Sequence, residues 1–313
     1  MKRASYVLLF FFVMALLLPL LAQGYALRIF TVAYFYAILA SSWNLLAGYT
    51  GQLSFAHAAF AGIGAYTAGL LSLHTPLPPV IGVFLGGVMA GVLGYILGIM
   101  GLRLRGPYLS LITLAFSEIV RIVVTVEHEI TRGSLGLHIP PFFPEGTSPI
   151  IYYYGMLVLL LLSLLALSKI VHSHWGLYLQ AIREDEEGAA VMGVDVVRWK
   201  IFAFVVSSFF AGLAGGYYGH FVRVVSPHLI FLSQMGLILA MTVIGGMGTL
   251  VGPVMGAIIV YFISEQVRDF GEYHLVLFSL LVILVMKFFR EGLYGLLRLY
   301  LVKHGWLSRE SIS

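Results

Sequence analysis

Apolar residues run in blocks of about twenty along almost the whole chain, separated by short polar or glycine-rich stretches. A membrane-spanning helix needs about 20 predominantly apolar residues, with a range of about 17 to 25. The blocks that meet or approach that length are 5–22, 28–47, 56–73, 80–101, 107–126, 150–170, 201–222, 234–248, 253–267 and 273–290. The blocks 234–248 and 253–267 are short for a bilayer, and the run GGMGTLVGP lies at their junction. Short segments interrupted by glycine and proline mark broken helices beside a permeation path. The stretch Gly48–Gly64 has the same character. Non-helical backbone at such depth is tolerated only where protein or water covers it. Close helix packing through small residues explains the same glycines, and the two readings are compatible. The first block, with Lys2 and Arg3 before it and Ala22-Gln23-Gly24 after it, also has the layout of a cleavable signal peptide. It is read here as a span, because the apolar run reaches Leu21 and further spans follow directly.

One long interruption stands out. The segment 172–200 carries Arg183, Glu184, Asp185, Glu186, Glu187, Asp195, Arg198 and Lys200, so it sits in water. It also has helix punctuation. Asp185 is placed to cap a short helix with Glu186 and Glu187 in its first turn, where the helix dipole favours acids. Gly193 falls just past the end of that helix, and Asp195 is placed to cap the next element, which runs into the apolar block from Ile201. A folded helix between two spans, bearing Gly188, Ala189, Ala190 and Gly193, lets another backbone approach closely and suggests a docking element.

Composition and charge narrow the picture. The 313 residues are 60% hydrophobic and only 10% charged, with mean hydropathy +0.97, whereas soluble domains carry about 25% charged residues. The chain is therefore read as an all-α polytopic membrane protein, with about ten transmembrane helices, some of them short or broken. Its residues 1–313 form a single transmembrane domain. The absence of cysteine excludes disulfides, thiolate metal sites and a cysteine nucleophile. A net charge of +4 is too small and scattered for nucleic-acid binding. The positive-inside rule instead uses those charges to set topology. With Lys2 and Arg3 in the cytoplasm, the connection holding Arg103 and Arg105, the 172–200 loop and the basic C-terminal tail all fall inside. The loop 127–150, with Arg132 among several acids, falls outside. Both termini are thus expected in the cytoplasm.

Ionisable residues within spans are costly and informative. His57 follows Ser54 in the glycine-rich segment, and with Gly245, Gly246 and Gly248 these residues are candidates for a translocation path. A buried neutral imidazole satisfied by a carbonyl is the plainer account of His57. Glu118 and Arg121, at i and i+3, can meet on one helix face as a structural pair. Enzyme chemistry finds little support. No GxxxxGK[ST] phosphate loop and no HExxH spacing occur, so no metal site is expected and the chain cannot itself be an ATPase. His172 and His174, at i and i+2, do not share a helix face. Ser54 and His57 are the sole suggestion of an intramembrane nucleophile and base.

The polar segment resembles the cytoplasmic coupling loop of ABC importer permeases, which carries Glu-Ala-Ala, three residues, then Gly. Here Glu187-Gly188-Ala189 is followed by Gly193, with one Ala replaced by Gly. The longer run AIREDEEGAAVMGVDVVRWKIFAFVVSSFFAGLAGGYYG resembles the LivM-like branched-chain amino acid permeases of the hydrophobic amino acid uptake class. So do GYTGQLSFAHAAFAGIGAYT at 48–67, GPYLSLITLAFSEIVR at 106–121 with TRGSLGL at 131–137, and GGMGTLVGPVMG at 245–256. These stretches keep the family's order and cover roughly 40 to 290. The resemblance implies a non-catalytic permease subunit in the inner or plasma membrane that binds no cofactor. Two ATPase subunits, which bind the ATP, would dock on the loop through Arg183, Glu187, Ala189 and Gly193. A second, related permease would complete a heterodimer, and an extracytoplasmic binding protein would deliver leucine, isoleucine, valine or small amides such as urea. A stand-alone channel or secondary carrier is the alternative. It would need carboxylates deep in the bilayer, and Glu118, already facing Arg121, is the clearest one.

Overall fold

The computed structural model describes residues 14–19, 24–101, 107–267 and 292–295, and nearly all of them are helical or in short connections between helices. The helices are α1 (Tyr25–Thr50), α2 (His57–His74), α3 (Pro79–Gly101), α4 (Pro107–Val126), α5 (Pro149–Val171), α6 (His174–Glu184), α7 (Glu186–Val191), α8 (Val196–Val222), α9 (Leu232–Gly245) and α10 (Gly252–Val267). Eight of these coincide with apolar blocks read from the sequence. The polar 172–200 segment supplies α6 and α7. The block 273–290, nearly all of 5–22 beyond the helical residues 14–19, Arg103, Arg105 and the basic tail from 296 onward lie outside the described residues. Among those described, α1, α3, α4, α5 and α8 are each long and apolar enough to cross a membrane. At about 1.5 Å per residue, α9 reaches only ~21 Å, less than a hydrocarbon core of about 30 Å.

The bundle is arranged around α1. Its residues from Thr31 to Thr50 are all buried, and it packs against α5, α8, α9 and α10. Such a helix carries no amphipathic stripe, because every face meets protein. The α2–α3–α8 group is held by small residues. Along α3, Gly82, Gly86, Ala90, Gly94 and Gly98 recur every fourth residue, and along α8 so do Ser208, Gly212 and Gly216. A Cβ at Gly212 would stand 2.5 Å from Ala90 Cβ and 2.8 Å from the Gly86 carbonyl oxygen. A Cβ at Gly86 would stand 2.6 Å from the Gly64 carbonyl oxygen on α2. Backbones this close gain the dispersion contacts that hold helices together in lipid, where no hydrophobic force acts between them.

The chain from Gly51 to Ala56 is not helical and runs back along α1. The Ser54 carbonyl accepts a 2.7 Å hydrogen bond from Trp43 Nε1, two turns before the end of α1. Its other polar groups are met by protein too: Phe55 N–H donates to Thr113 Oγ1 (2.9 Å), and Ser110 Oγ donates to the Leu53 carbonyl (3.0 Å). The first helical residue of α2, His57, therefore lies well inside the bundle. Ser54 and Ala56 of this non-helical stretch are buried by protein, while Gly51 and Leu53 remain exposed. At the opposite end from the 172–200 loop, residues 137–138 pair antiparallel with 224–225 in a two-residue ladder. His220 Nδ1, 2.8 Å from the Pro140 carbonyl oxygen, ties the 127–148 connection to α8 as well.

Candidate functional site

The polar segment folds as its punctuation requires. Asp185 caps α7, its carboxylate accepting from Glu187 N–H at 3.1 Å, with Glu186 and Glu187 in the first turn. Gly193 takes φ +89°, a left-handed conformation that suits glycine after a helix end. Asp195 caps α8, accepting from Arg198 N–H at 3.0 Å. These caps place α7 as a short arm between two longer helices, and side chains then brace it. Lys200, only 7% exposed, lies 2.5 Å from Glu186 Oε2 and locks α7 to the first turns of α8. Behind it, α6 buries Gly176, Leu179 and Ile182. The rings of Trp175, Tyr178, Trp199 and Phe202 interlock with centroids 5.1 to 6.0 Å apart, joining α6 to α8. The Lys200–Glu186 pair thus ties α7 to α8 across the Gly193 turn, in addition to the chain itself.

The candidate docking residues occupy different positions on this arm. Glu187 is exposed. At Gly193 an added Cβ would meet nothing within 4 Å, so that surface is open to a partner. Ala189 is buried against the chain itself, at 6% exposure. Arg183 is exposed along much of its length, while its Nη1 reaches inward and donates to the Gly48 carbonyl at 2.5 Å. Two residues that the charge pattern passed over are the most prominent: Val191 and Met192, at the tip, are 87% and 85% exposed. These two neighbouring apolar side chains stand almost wholly clear of the rest of the chain. Nothing in the sequence separates them from the other apolar residues of the segment, such as Val194 and Val196.

The two glycine-rich stretches, far apart in sequence, meet beside this arm. Asn44 on α1 bridges them. Its Oδ1 accepts from Gly248 N–H at 2.8 Å, and its Nδ2 donates to the Thr249 carbonyl at 2.7 Å. Gly246 and Gly248 have φ +122° and +80° in the turn between α9 and α10, and a Cβ at Gly245 would overlap the Gly252 carbonyl across that hairpin. Ser54 is 1% exposed and its Oγ accepts from Ala56 N–H (3.3 Å). His57 is fully buried, edge-on to Phe60. Of these five candidate path residues Ser54, His57, Gly245 and Gly246 are buried and Gly248 is partly exposed. Gly245, Gly246 and Gly248 are grouped at the turn, and Ser54 and His57 sit at the α1–α2 break.

Glu118 and Arg121 meet on α4, with Arg121 Nε donating to Glu118 Oε2 at 2.9 Å and the guanidinium 5.7 Å from the Phe231 ring centre. The pair is partly exposed on a helix otherwise apolar outward. At the end of α1 away from the loop, a cleft of about 700 Å³ lies between α1, α8 and α10, lined by Arg28, Glu265, Tyr25, Tyr218 and Tyr261 with apolar neighbours. Among the described residues no cluster of His, Asp and Glu could hold a metal ion.

Comparison with known proteins agrees with this architecture. The family model of the branched-chain amino acid transport system permease component matches residues 25–286. The high-affinity branched-chain amino acid transport system permease protein LivM of Escherichia coli K12 is 32% identical over 91% of this chain and 74% of its own length. LivH of the same organism is 25% identical over 79% of this chain and 89% of its own. The fructose import permease protein FrcC of Rhizobium meliloti is 26% identical over 70% and 64%. No solved structure matches the chain. A multi-pass bundle with a braced polar arm, matched along most of its length by permeases, places the chain in the inner or plasma membrane. It belongs to the family of permease components of branched-chain amino acid transport systems.

Proposed function

We propose that this chain is the non-catalytic permease subunit of an ABC importer for branched-chain amino acids, working with a second, LivH-like permease, two ATPase subunits and an extracytoplasmic binding protein. The observation that carries this reading is the α6–α7 arm: folded, capped, ion-paired to α8 and tipped by Val191 and Met192. A simple channel has no use for such a lever, whereas a permease driven from outside needs a rigid handle for the driving subunit. ATP binding and closure of the ATPase pair would press on α7, and α8 would carry the movement into the α2–α3–α8 group. The spans would then alternate between inward- and outward-open states. In this reading the arm and both termini are cytoplasmic, the full chain has ten spans, and ATP is bound only by the partner. The branched-chain substrate follows from likeness to LivM over more of the chain than is shared with the sugar permease.

The test is purification of the chain from its native membrane in mild detergent, followed by mass spectrometry and reconstitution into vesicles. Co-purification of an ATPase and a second polytopic protein, with ATP-dependent uptake of labelled leucine that isoleucine and valine compete for, is the expected result. A chain recovered alone, under conditions that keep other transporters whole, refutes the permease reading. An assembly that imports urea or fructose but not leucine refutes the substrate.

A further inference from the structure

Arg183 reaches from the arm into the bundle. Its side chain lies in a slot made by three glycines from both glycine-rich stretches. A Cβ on Gly51 would stand 3.5 Å from Arg183 Cγ, and one on Gly248 would stand 3.1 Å from its Nη1. On the third, Gly48, the carbonyl accepts the guanidinium hydrogen bond. Gly48 lies in the last turn of the 26-residue α1, whose terminal carbonyls have no partner within the helix. Those carbonyls form the negative end of the helix dipole, and α1 has no basic residue of its own in that turn. Arg183, from another element, supplies the missing cation. The guanidinium also abuts Gly248, the residue whose N–H is held by Asn44.

The position of Arg183 along the chain matters as much as its contacts. It stands in the last turn of α6, two residues before the cap of α7. Besides its ring packing on α8, the arm is thus tied to the bundle through Glu186 and Lys200 to α8 and through Arg183 to α1 and the α9–α10 turn.

We propose that Arg183 is a positioning residue for transport, transmitting movement of the α6–α7 arm to the inner helix α1 and the α9–α10 turn, rather than an anchor for the ATPase. The proposal rests on the permease reading above. Its test uses the complete assembly reconstituted in vesicles, with Arg183→Gln and Arg183→Lys compared with the parent for bound ATPase, ATP hydrolysis and labelled leucine imported per ATP consumed. Arg183→Gln removes a charge-assisted hydrogen bond, so import per ATP is expected to fall about tenfold while bound ATPase and hydrolysis stay within about twofold. Arg183→Lys keeps the charge but not the planar fork and recovers part of the loss. Loss of bound ATPase in Arg183→Gln would make the residue a docking anchor and overturn the proposal. Unchanged import per ATP in both variants would also overturn it. If Arg183→Gln does not fold or insert into the membrane, Arg183→Lys decides, and parental coupling in that variant counts against transmission. Failure of the permease reading is distinct, because the parent chain itself would then recruit no ATPase.

Discussion

Replacing Val191 and Met192 together with serine tests the docking surface directly. Both side chains are almost wholly in water, at 87% and 85% exposure, so they contribute little to the stability of the permease itself. Surface substitutions of this kind change folding free energy by about 0.5 kcal/mol or less. On a partner the situation reverses. Full burial of a valine or methionine is worth about 1.5–3 kcal/mol each. Conversion of buried area to affinity is incomplete, because ordering the interface costs free energy. Taking about half of the summed burial leaves ~1.5–3 kcal/mol, or a docking equilibrium weakened roughly 10- to 150-fold. The assay is titration of purified ATPase subunit against the permease in nanodiscs, read by fluorescence anisotropy, with thermal unfolding of the permease as control. A dissociation constant within threefold of the parent would refute the idea that this tip is the contact. The double variant is a cleaner probe than Gly193→Trp, because a side chain at φ +89° adds backbone strain of its own.

Three further outcomes are expected. Gly212→Leu drives a side chain into Ala90 and the Gly86 carbonyl, forcing α3 and α8 apart at a cost of about 1–3 kcal/mol or more, whereas Gly236→Ala on α9, with nothing within 4 Å, is neutral or slightly stabilising. Thermal unfolding of the detergent-solubilised chain separates the two. Lys200→Met leaves Glu186 without its partner and loosens α7 from α8, costing about 1–3 kcal/mol because Glu186 retains some water, and faster amide exchange across 186–195 reports it. Arg121→Leu leaves the Glu118 charge unpaired within a span, so it lowers the membrane-inserted fraction more than the double change Glu118→Leu/Arg121→Leu.

Apolar block length and helix punctuation made the span positions legible from the sequence, because lipid leaves backbone polar groups no alternative to helix. The blocks 28–47, 80–101 and 107–126 became α1, α3 and α4 with their ends within three residues. The capping roles of Asp185 and Asp195 and the turn at Gly193 were equally local, set by side chains that bond to backbone two or three residues away. The arm's charges marked it as a water-facing segment, and its small residues suggested docking.

Which glycines meet which was decided only by the tertiary structure. Gly48, Gly51 and Gly248 form one slot, although nothing in a hydrophobic pattern distinguishes packing glycines from turn glycines. The side-chain directions of the arm were likewise set by packing. Ala189 turns inward, Val191 and Met192 turn out, and Arg183 folds back to a helix end 135 residues earlier in the chain. Local spacing fixes a helix and its caps through bonds a few residues long. The partner of a free carbonyl such as that of Gly48 depends on which distant element the bundle brings within about 3 Å, and that is a property of the assembled helices alone.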